Sequence, residues 1–230
     1  MNILNSSSNS EITREFTGIT AIDISTVSGD CKVIKSDDPE VKLTLTHHYE
    51  PDSAFEPIFI ENGNLLKVKE NMIGSNSGSS EWGLRVPERI NIIFGSASGS
   101  IILEDISGKI QVHTASGIIS AKGMKLMENS EFTSATGDVN ITFSESPKYD
   151  VLVSSASGDA TINYNNNPVV GTIEMHAGTT KGKIVCPFKF DSKKEELLSN
   201  QEYVIKSVTI GSDSPMIKIY TTSGDAILKK

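Results

Sequence analysis

Two aspartates, Asp138 and Asp159, come closest to carrying chemistry by residue type and spacing. They lie in two similar segments, in each of which the aspartate follows a glycine, and the two glycines are 21 residues apart. If the segments stack as neighbouring strands, the Cα atoms lie about 5 Å apart, near the carboxyl separation of retaining glycosidases. The pair is therefore a weak candidate for sugar binding, cation binding or catalysis. We favour turn formation instead, because Asp30 and Asp225 occupy the same slot where no neighbouring carboxylate is expected.

The other residue types that could do chemistry form no recognisable site. His47 and His48 are adjacent on a predicted strand and point to opposite faces, while His113 and His176 have no cysteine or carboxylate at ligand spacing. No phosphate-binding loop, dinucleotide fingerprint, HExxH motif or nucleophile elbow occurs in the sequence. We therefore predict no metal, no cofactor, no catalytic residues and no enzymatic activity.

Charge and cysteine content narrow the classes of partner. With 21 basic and 29 acidic residues the net charge is −8, which removes the main attraction to nucleic acid and argues against anionic membranes. Cys31 and Cys186 are far apart and predict no disulfide framework. No apolar stretch approaches the roughly 20 residues that span a bilayer, so we expect no transmembrane segment in this chain.

A short repeat dominates the sequence. Successive glycines 99, 117, 137 and 158 are 18, 20 and 21 residues apart, and the interval from 182 to 224 is 42, twice 21. This period predicts a stacked solenoid with rungs of about 20 residues. Each repeat has Ser or Thr before the glycine, except one degenerate copy that has Lys181. The predicted corner glycines are Gly29, Gly99, Gly108, Gly117, Gly137, Gly158 and Gly224, with a degenerate copy at Gly182.

Alternation after each glycine gives the direction of the side chains. The positions two and four after it are apolar in all eight copies and should face the core; they are Cys31, Val33, Ile101, Leu103, Ile110, Val112, Ile119, Ala121, Val139, Ile141, Ala160, Ile162, Ile184, Cys186, Ala226 and Leu228. Glycine should supply the corner. We expect the hydroxyl before it to form a ladder along the stack, and the small residue before that to fit where the inner faces converge.

Three other segments are less regular. Asn62-Gly63 between two apolar runs predicts an antiparallel hairpin. Asn71 to Gly83 is rich in Gly and Ser and is expected to be a mobile loop, with Trp82 docking it or covering an end of the core. Asp191 to Leu198 has a capping pattern and predicts one or two helical turns.

The motifs together carry a family resemblance. The sequence resembles the putative adhesin family of bacterial envelope proteins in four features. These are the stretch from Phe16 to Asp30, the segments Asn62 to Val68 and Leu84 to Pro87, and the serial Ser-Gly-Asp repeats. They are also similar to auto-transporter adhesin head domains of GIN type. The resemblance spans roughly residues 15–230 and implies a right-handed, single-stranded β-helix-like solenoid with surface or periplasmic placement. It brings no catalytic residues.

These observations define the expected organisation and function. We predict an all-β chain with a polar N-terminal tether at 1–14 and one solenoid domain at 15–230, less regular over 15–93 and regular over 94–230. The polar tract Asn5 to Ser10 is typical of a tether after a lipid anchor or cleavage site. The expected function is non-enzymatic: a bacterial cell-envelope protein, exported to the surface or periplasm, whose polar face contacts a surface glycan or protein. The alternatives are a carbohydrate-active enzyme using Asp138 and Asp159, and a scaffold or sensor domain of a membrane-anchored protein.

Overall fold

The computed structural model describes residues 10–74, 77–198 and 201–230, which are almost entirely β-structure. In chain order the strands are β1 (Ser10–Phe16), β2 (Ala21–Ser28), β3 (Asp30–Ser36), β4 (Val41–Glu50), β5 (Phe55–Asn62), β6 (Leu65–Met72), β7 (Ser77–Pro87), β8 (Asn91–Ser98), β9 (Ile101–Glu104), β10 (Ser107–Gly108), β11 (Ile110–Ser116), β12 (Ile119–Leu126), β13 (Ser130–Thr136), β14 (Val139–Phe143), β15 (Val151–Ser157), β16 (Ala160–Asn163), β17 (Gly171–Gly178), β18 (Ile184–Val185), β19 (Ser192–Leu198), β20 (Gln201–Ile210), β21 (Met216–Thr221) and β22 (Ala226–Lys229). A 3₁₀ turn lies at Asp52–Ala54.

The strands form two long mixed sheets that enclose one core. Sheet A has the order β1-β4-β7-β3-β9-β12-β14-β16-β22-β18, with β10 pairing beside β12. Sheet B has the order β19-β20-β17-β21-β15-β13-β11-β8-β2-β6-β5. The middle of each sheet is parallel. Antiparallel pairs stand at both ends of sheet B and at the β1 end of sheet A, whereas β22 and β18 at the other end of sheet A are parallel. The all-β, solenoid-like architecture expected from the repeat is therefore present.

The repeat connects the two sheets. A strand of sheet B runs into a glycine corner, and the next strand belongs to sheet A, as in β13 to Gly137 to β14. Neighbouring copies pair in register, with Val112 beside Phe94 and Phe132 in sheet B and Ile119 beside Ile101 and Val139 in sheet A. Because the copies share one phase, their inward side chains stack into a continuous core.

Burial agrees with the predicted alternation. Fourteen of the sixteen apolar positions after the glycines are buried. The other two, Ile184 and Cys186, lie at the end of the stack and are partly buried against the core. The Asn62-Gly63 hairpin is also confirmed, because β5 and β6 pair antiparallel with Asn62 opposite Leu65.

Three local predictions are wrong. The second half of the expected loop Asn71 to Gly83 belongs to strand β7, which lies between β3 and β4, and Trp82 lies in the core; Ser75 and Asn76 lie outside the described residues. Ser192–Leu198 is strand β19 rather than a helix, because it pairs antiparallel with β20 over its whole length. Residues 10–14 of the predicted tether 1–14 belong to strand β1, which pairs with β4, whereas residues 1–9 lie outside the described residues. In all three, pairing with a distant strand overrides the local signal.

Strand order along the stack differs from chain order at the C-terminus. Strand β22 lies between β16 and β18, and β21 lies between β15 and β17. The final segment therefore inserts between the rung that carries Gly158 and the rung that carries Gly182. The 42-residue interval had suggested that Gly224 lies two rungs beyond Gly182. Instead, Gly224 lies between Gly158 and Gly182 in the stack.

Candidate binding face

The glycine corners pack against one another along the stack. A Cβ added to Gly117 would lie 2.1 Å from the carbonyl oxygen of Gly99, and Gly117 has φ +145°. The same contact joins the other glycines of the column, in the spatial order 29, 99, 117, 137, 158, 224 and 182. Glycine is thus needed at these corners because the neighbouring backbone occupies the space of a side chain.

Gly108 does not belong to this column. It lies in β10, in the return connection from sheet A to sheet B, and pairs with Leu126. A Cβ there would meet the carbonyl oxygen of Ile90 at 2.0 Å. The prediction that Gly108 is a corner residue equivalent to Gly99 or Gly117 is therefore wrong. Glycine is required at position 108 for the same steric reason, but at a different place in the rung.

The aspartates Asp138 and Asp159 are adjacent and hold the corners together. Asp138 Oδ1 accepts a hydrogen bond from the backbone N–H of Asp159 at 2.9 Å. Asp159 Oδ1 accepts in turn from the N–H of Asp225 at 2.8 Å, and Asp225 Oδ1 from the N–H of Lys183 at 2.9 Å. Asp30 makes the same bond to Ser100. One oxygen of each carboxylate is thus engaged with the next rung.

The inserted C-terminal segment changes one premise of the sequence argument. Asp225 was expected to have no carboxylate neighbour, but the insertion of β22 beside β16 places it next to Asp159. The column therefore holds three consecutive aspartates, Asp138, Asp159 and Asp225. Each accepts a hydrogen bond from a backbone N–H of the next rung, which supports a structural role at the corners for all three.

The hydroxyl ladder forms two residues earlier along the strand than predicted. The buried hydroxyls lie three residues before each glycine: Ser134, Ser155 and Thr221 donate to the carbonyl oxygens of Gly117, Gly137 and Gly158 at 2.8–3.0 Å. Most hydroxyls immediately before the glycines are exposed. The small residues before those, such as Ala115 and Ala135, are exposed as well, which contradicts their expected position between converging inner faces.

Polar and aromatic side chains collect on the outer face of sheet B, which we call the outer face. One row of register partners runs Gln111, Glu131, Leu152, Lys218 and Glu174, and a parallel row runs His113, Thr133, Ser154, Tyr220 and His176. The rows combine carboxamide, carboxylate, amine, hydroxyl and aromatic groups. They cross five neighbouring strands about 4.8 Å apart.

Contacts within the C-terminal half of the outer face connect its charged and aromatic groups. Glu174 Oε1 lies 2.9 Å from His176 Nε2 and 3.5 Å from Lys218 Nζ. The ring of Tyr220 lies 5.5 Å from His176 and 5.1 Å from Tyr203 between centroids. These contacts form a preassembled cluster that is only partly open to solvent. Its members are Glu174, His176, Tyr203, Lys218 and Tyr220.

Two pKa shifts follow from this cluster. Partial burial would raise the pKa of Glu174, but the hydrogen bonds and charges of His176 and Lys218 outweigh it and lower that pKa below its ordinary value. Burial, assisted by the Tyr203 hydroxyl, raises the pKa of Tyr220 to about 12. Near neutral pH the cluster therefore presents a carboxylate and an intact phenol.

A shallow groove of about 280 Å³ adjoins the cluster. It is lined by Gln111, Glu131, Leu152 and Lys218 of the outer face and by Asn129 and Asp150 at the strand starts. Asn129 and Asp150 also bond backbone N–H groups of neighbouring rungs. Hydrogen-bond donors and acceptors therefore surround a patch of apolar surface.

Sequence reasoning missed this cluster. We found no cysteine or carboxylate at ligand spacing from His176 in the sequence, yet Glu174 is two residues away on the same face of a strand. The Glu-x-His spacing could have been found in the sequence. The contributions of Lys218 and Tyr220 could not, because they depend on the inserted strand β21, and that of Tyr203 depends on the antiparallel pairing of β20 with β17.

The remaining candidate groups show no centre for a metal or nucleophile. Within 10–74, 77–198 and 201–230, no three His, Cys, Asp or Glu residues are grouped so that they could hold a metal ion. His47 packs against Phe55 with centroids 4.6 Å apart. Cys31 and Cys186 are free, and burial raises the pKa of both thiols.

No helix in the described part of the chain is long and apolar enough to cross a membrane.

Comparison with known proteins supports the expected resemblance. Residues 90–184, the core of the repeat region, match the family model Toastrack DUF4097. No curated protein matches the sequence.

Solved structures with this arrangement are similar along nearly the whole chain. One, named as a putative adhesin from Bacteroides fragilis, has 15% identity and a TM-score of 0.50, covering 97% of this chain and 98% of its own. Another, named as a putative cell adhesion protein from Clostridium sporogenes, has 12% identity and a TM-score of 0.43, with 96% and 99% covered. The chain thus contains an adhesin-like domain of unknown function, and the first structure supports the fold.

Proposed function

Starting from a Toastrack match over residues 90–184, we propose that this protein is a non-enzymatic component of the bacterial cell envelope whose outer face binds a surface glycan. The observation that carries the proposal is the cluster of Glu174, His176, Lys218 and Tyr220 beside the groove. Sugars present hydroxyl groups together with apolar C–H faces, so a site for them combines hydrogen-bonding groups with an aromatic ring.

The repeated architecture favours an extended ligand. Register partners place hydrogen-bonding groups on most of the consecutive strands, so a polymer lying across the strands can contact several rungs at once. Weak contacts to linked sugar units add through effective concentration, which suits adhesion to a polysaccharide better than to a free monosaccharide. A protein partner is the second candidate for this same face.

A glycan array tests the proposal. Lys218→Ala and Tyr220→Ala should each weaken binding to the preferred glycan at least tenfold. Lys125→Ala is a matched control, because Lys125 is also a half-exposed lysine paired with a glutamate, Glu145, but lies in sheet A. Retained binding in the two outer-face variants, or equal loss in all three, would contradict glycan binding at this face.

We propose that Asp138 and Asp159 act in the corners rather than in catalysis. Their engaged oxygens support this assignment. In polysaccharide-degradation assays, neither the native protein nor Asp159→Asn should release sugar. The substitution should leave the corner intact, since the asparagine oxygen can still accept the hydrogen bond from the N–H of Asp225. Sugar release that disappears in Asp159→Asn would make the carbohydrate-active alternative correct.

We also propose the finer architecture and placement implied by the resemblance. The chain should follow a right-handed path with rungs of about 20 residues, supported by register partners such as Val112 and Phe132 that are 20 positions apart. A crystal structure measures the handedness directly. Surface or periplasmic placement predicts that the protein is found in the envelope fraction of its bacterium, whereas recovery from the cytoplasmic fraction would contradict it.

A further inference from the structure

The two sheets end at different levels at the C-terminal end of the stack. Sheet A stops at β18, whereas sheet B continues beyond β17 with β20 and β19. The inner face of these two strands therefore has no strand of sheet A opposite it. A groove of about 420 Å³ lies there, and we call it the terminal groove.

One side of the terminal groove is apolar and continues into the core. It is lined by Ala177, its cross-strand partner Val204, and Ile184 of β18. Ala177 is buried and Ile184 is partly buried, while the neighbouring Val185 is 47% exposed. An alkyl chain placed in this groove would therefore lie against apolar surface that the fold leaves uncovered.

The other side of the terminal groove carries three lysines, Lys183, Lys193 and Lys206. Lys193 and Lys206 are direct partners across the antiparallel pair of β19 and β20. Like charges in this position destabilise a sheet. The fold thus concentrates positive charge beside apolar surface, in a protein whose net charge is −8.

Groups of the protein offset only part of this charge. Lys193 Nζ lies 3.1 Å from Glu195 Oε1, and Lys206 Nζ lies 5.2 Å from the centre of the Phe190 ring. Among the residues that the structure describes, neither Lys183 nor Lys206 has a carboxylate within ion-pair distance. An anion bound here would relieve the repulsion between Lys193 and Lys206 and gain attraction from Lys183.

We propose that the terminal groove binds an amphiphile with one alkyl chain and an anionic head group, such as a long-chain carboxylate. The tail lies against Ala177, Ile184 and Val204, and the head group lies among the three lysines. This activity goes beyond glycan binding, because the terminal groove and the outer-face cluster share no residue. The occupant is a single molecule, since the surface is a concave groove rather than an exposed basic plane.

Calorimetric titration with decanoate below its micelle concentration tests the proposal. Decanoate should bind at one site, and hexanoate should bind far more weakly, because each methylene contributes about fourfold in affinity. Decyltrimethylammonium has the same tail with a positive head group and should not bind. Equal binding of the cationic and anionic amphiphiles would overturn the proposal, as would no binding of decanoate.

Variants locate the site. The double variant Lys193→Gln/Lys206→Gln keeps most of each side chain and should weaken decanoate binding at least tenfold with an unchanged circular dichroism spectrum. Lys32→Gln removes a lysine paired with Glu104 in the N-terminal part of sheet A and is the matched control, with unchanged binding expected. Decanoate binding that survives the double variant contradicts the assignment.

A bilayer is the competing source of the same chemistry. Sedimentation with anionic phospholipid vesicles should show no association of the native protein at physiological salt. If the protein sediments with vesicles but does not bind monomeric decanoate, the lysines serve a membrane surface and the proposal is wrong.

Discussion

At the scale of single residues, the missing side chain of glycine determines how closely the rungs approach. Gly99, Gly117 and Gly137 each place a Cα against the carbonyl oxygen of the preceding corner, where a Cβ would be only 2.0–2.3 Å from it. These three glycines also have φ between +125° and +145°, which other residues rarely adopt. Space and backbone conformation thus demand the same residue.

A pair of Gly→Ala variants tests this requirement. Gly117→Ala should lower the free energy of unfolding by at least about 2 kcal/mol, because the methyl group would meet the Gly99 carbonyl in a strained backbone. Gly95→Ala is the control, since a Cβ there meets nothing within 4 Å. Urea denaturation measures both, and equal stability of the two variants would show that the corner can relax.

Two buried tyrosines differ in their hydroxyl groups. Tyr49 and Tyr164 are both nearly inaccessible. The Tyr49 hydroxyl lies 3.0 Å from Ser28 Oγ, whereas the Tyr164 hydroxyl has no hydrogen-bond partner among the described residues. Burial also raises the pKa of Tyr164. A buried hydroxyl without a partner costs stability, since it loses its bonds to water.

Replacing each tyrosine with phenylalanine should therefore have opposite results. Tyr164→Phe is expected to be neutral or to stabilise the protein, because it removes an unpaired polar atom. Tyr49→Phe should cost about 1 kcal/mol through the lost bond to Ser28. Chemical denaturation compares the two, and a loss in Tyr164→Phe as large as that in Tyr49→Phe would reveal a partner for the Tyr164 hydroxyl.

At the scale of elements, alternation decides which face of each strand enters the core. In β14, Ile141 is fully buried, whereas its neighbour Asn140 is exposed. The paired strands β12 and β16 place Ala121 and Ile162 beside Ile141. A charge at position 141 would thus be buried among apolar groups on both sides.

Aspartate substitutions at these adjacent positions should behave differently. Ile141→Asp should unfold the protein or cost more than about 4 kcal/mol, because an unpaired carboxylate would be buried. Asn140→Asp should stay within about 0.5 kcal/mol of the native protein. Thermal melts and circular dichroism measure both. Similar tolerance at 140 and 141 would contradict the register of β14.

At the scale of the whole molecule, Glu70 joins the N-terminal third to the repeat stack. Its carboxylate is buried and accepts from the Trp82 indole N–H at 2.8 Å and from the Ser28 N–H at 3.1 Å, with further bonds from Val27 N and Ser80 Oγ. The bonds connect β6 of sheet B with β7 of sheet A and with the first glycine corner. This side chain satisfies donors where the regular rungs end.

Removing this carboxylate should destabilise the whole protein. Glu70→Ala leaves the buried Trp82 indole and two part-buried backbone N–H groups without their acceptor, at a cost of roughly 3 kcal/mol or more. Glu104→Ala is the control, since Glu104 forms an exposed pair with Lys32 and should cost less than about 1 kcal/mol. A small effect of Glu70→Ala in urea unfolding would contradict the joining role.

Much of this molecule could be predicted from sequence, because its repeats are local. Each repeat carries its own corner glycine and its own inward positions, and identical phase in successive copies fixes the stacking without knowledge of distant contacts. The buried state of Val139 and Ile141 and the corner at Gly137 can be read within one segment. Binding chemistry has no such local signature.

The sequence by itself determined the all-β class, the apolar column behind the glycines and the β5–β6 hairpin. Only the tertiary structure decided that β21 and β22 insert beside β15 and β16, that Ser192–Leu198 is a strand, and that Glu70 lies among donors from the two distant strands β2 and β7. The outer-face cluster depends on the inserted strand β21, and the terminal groove depends on strand β19 and its pairing with β20. Their residues are joined by pairing between segments tens of positions apart, which no short sequence pattern encodes.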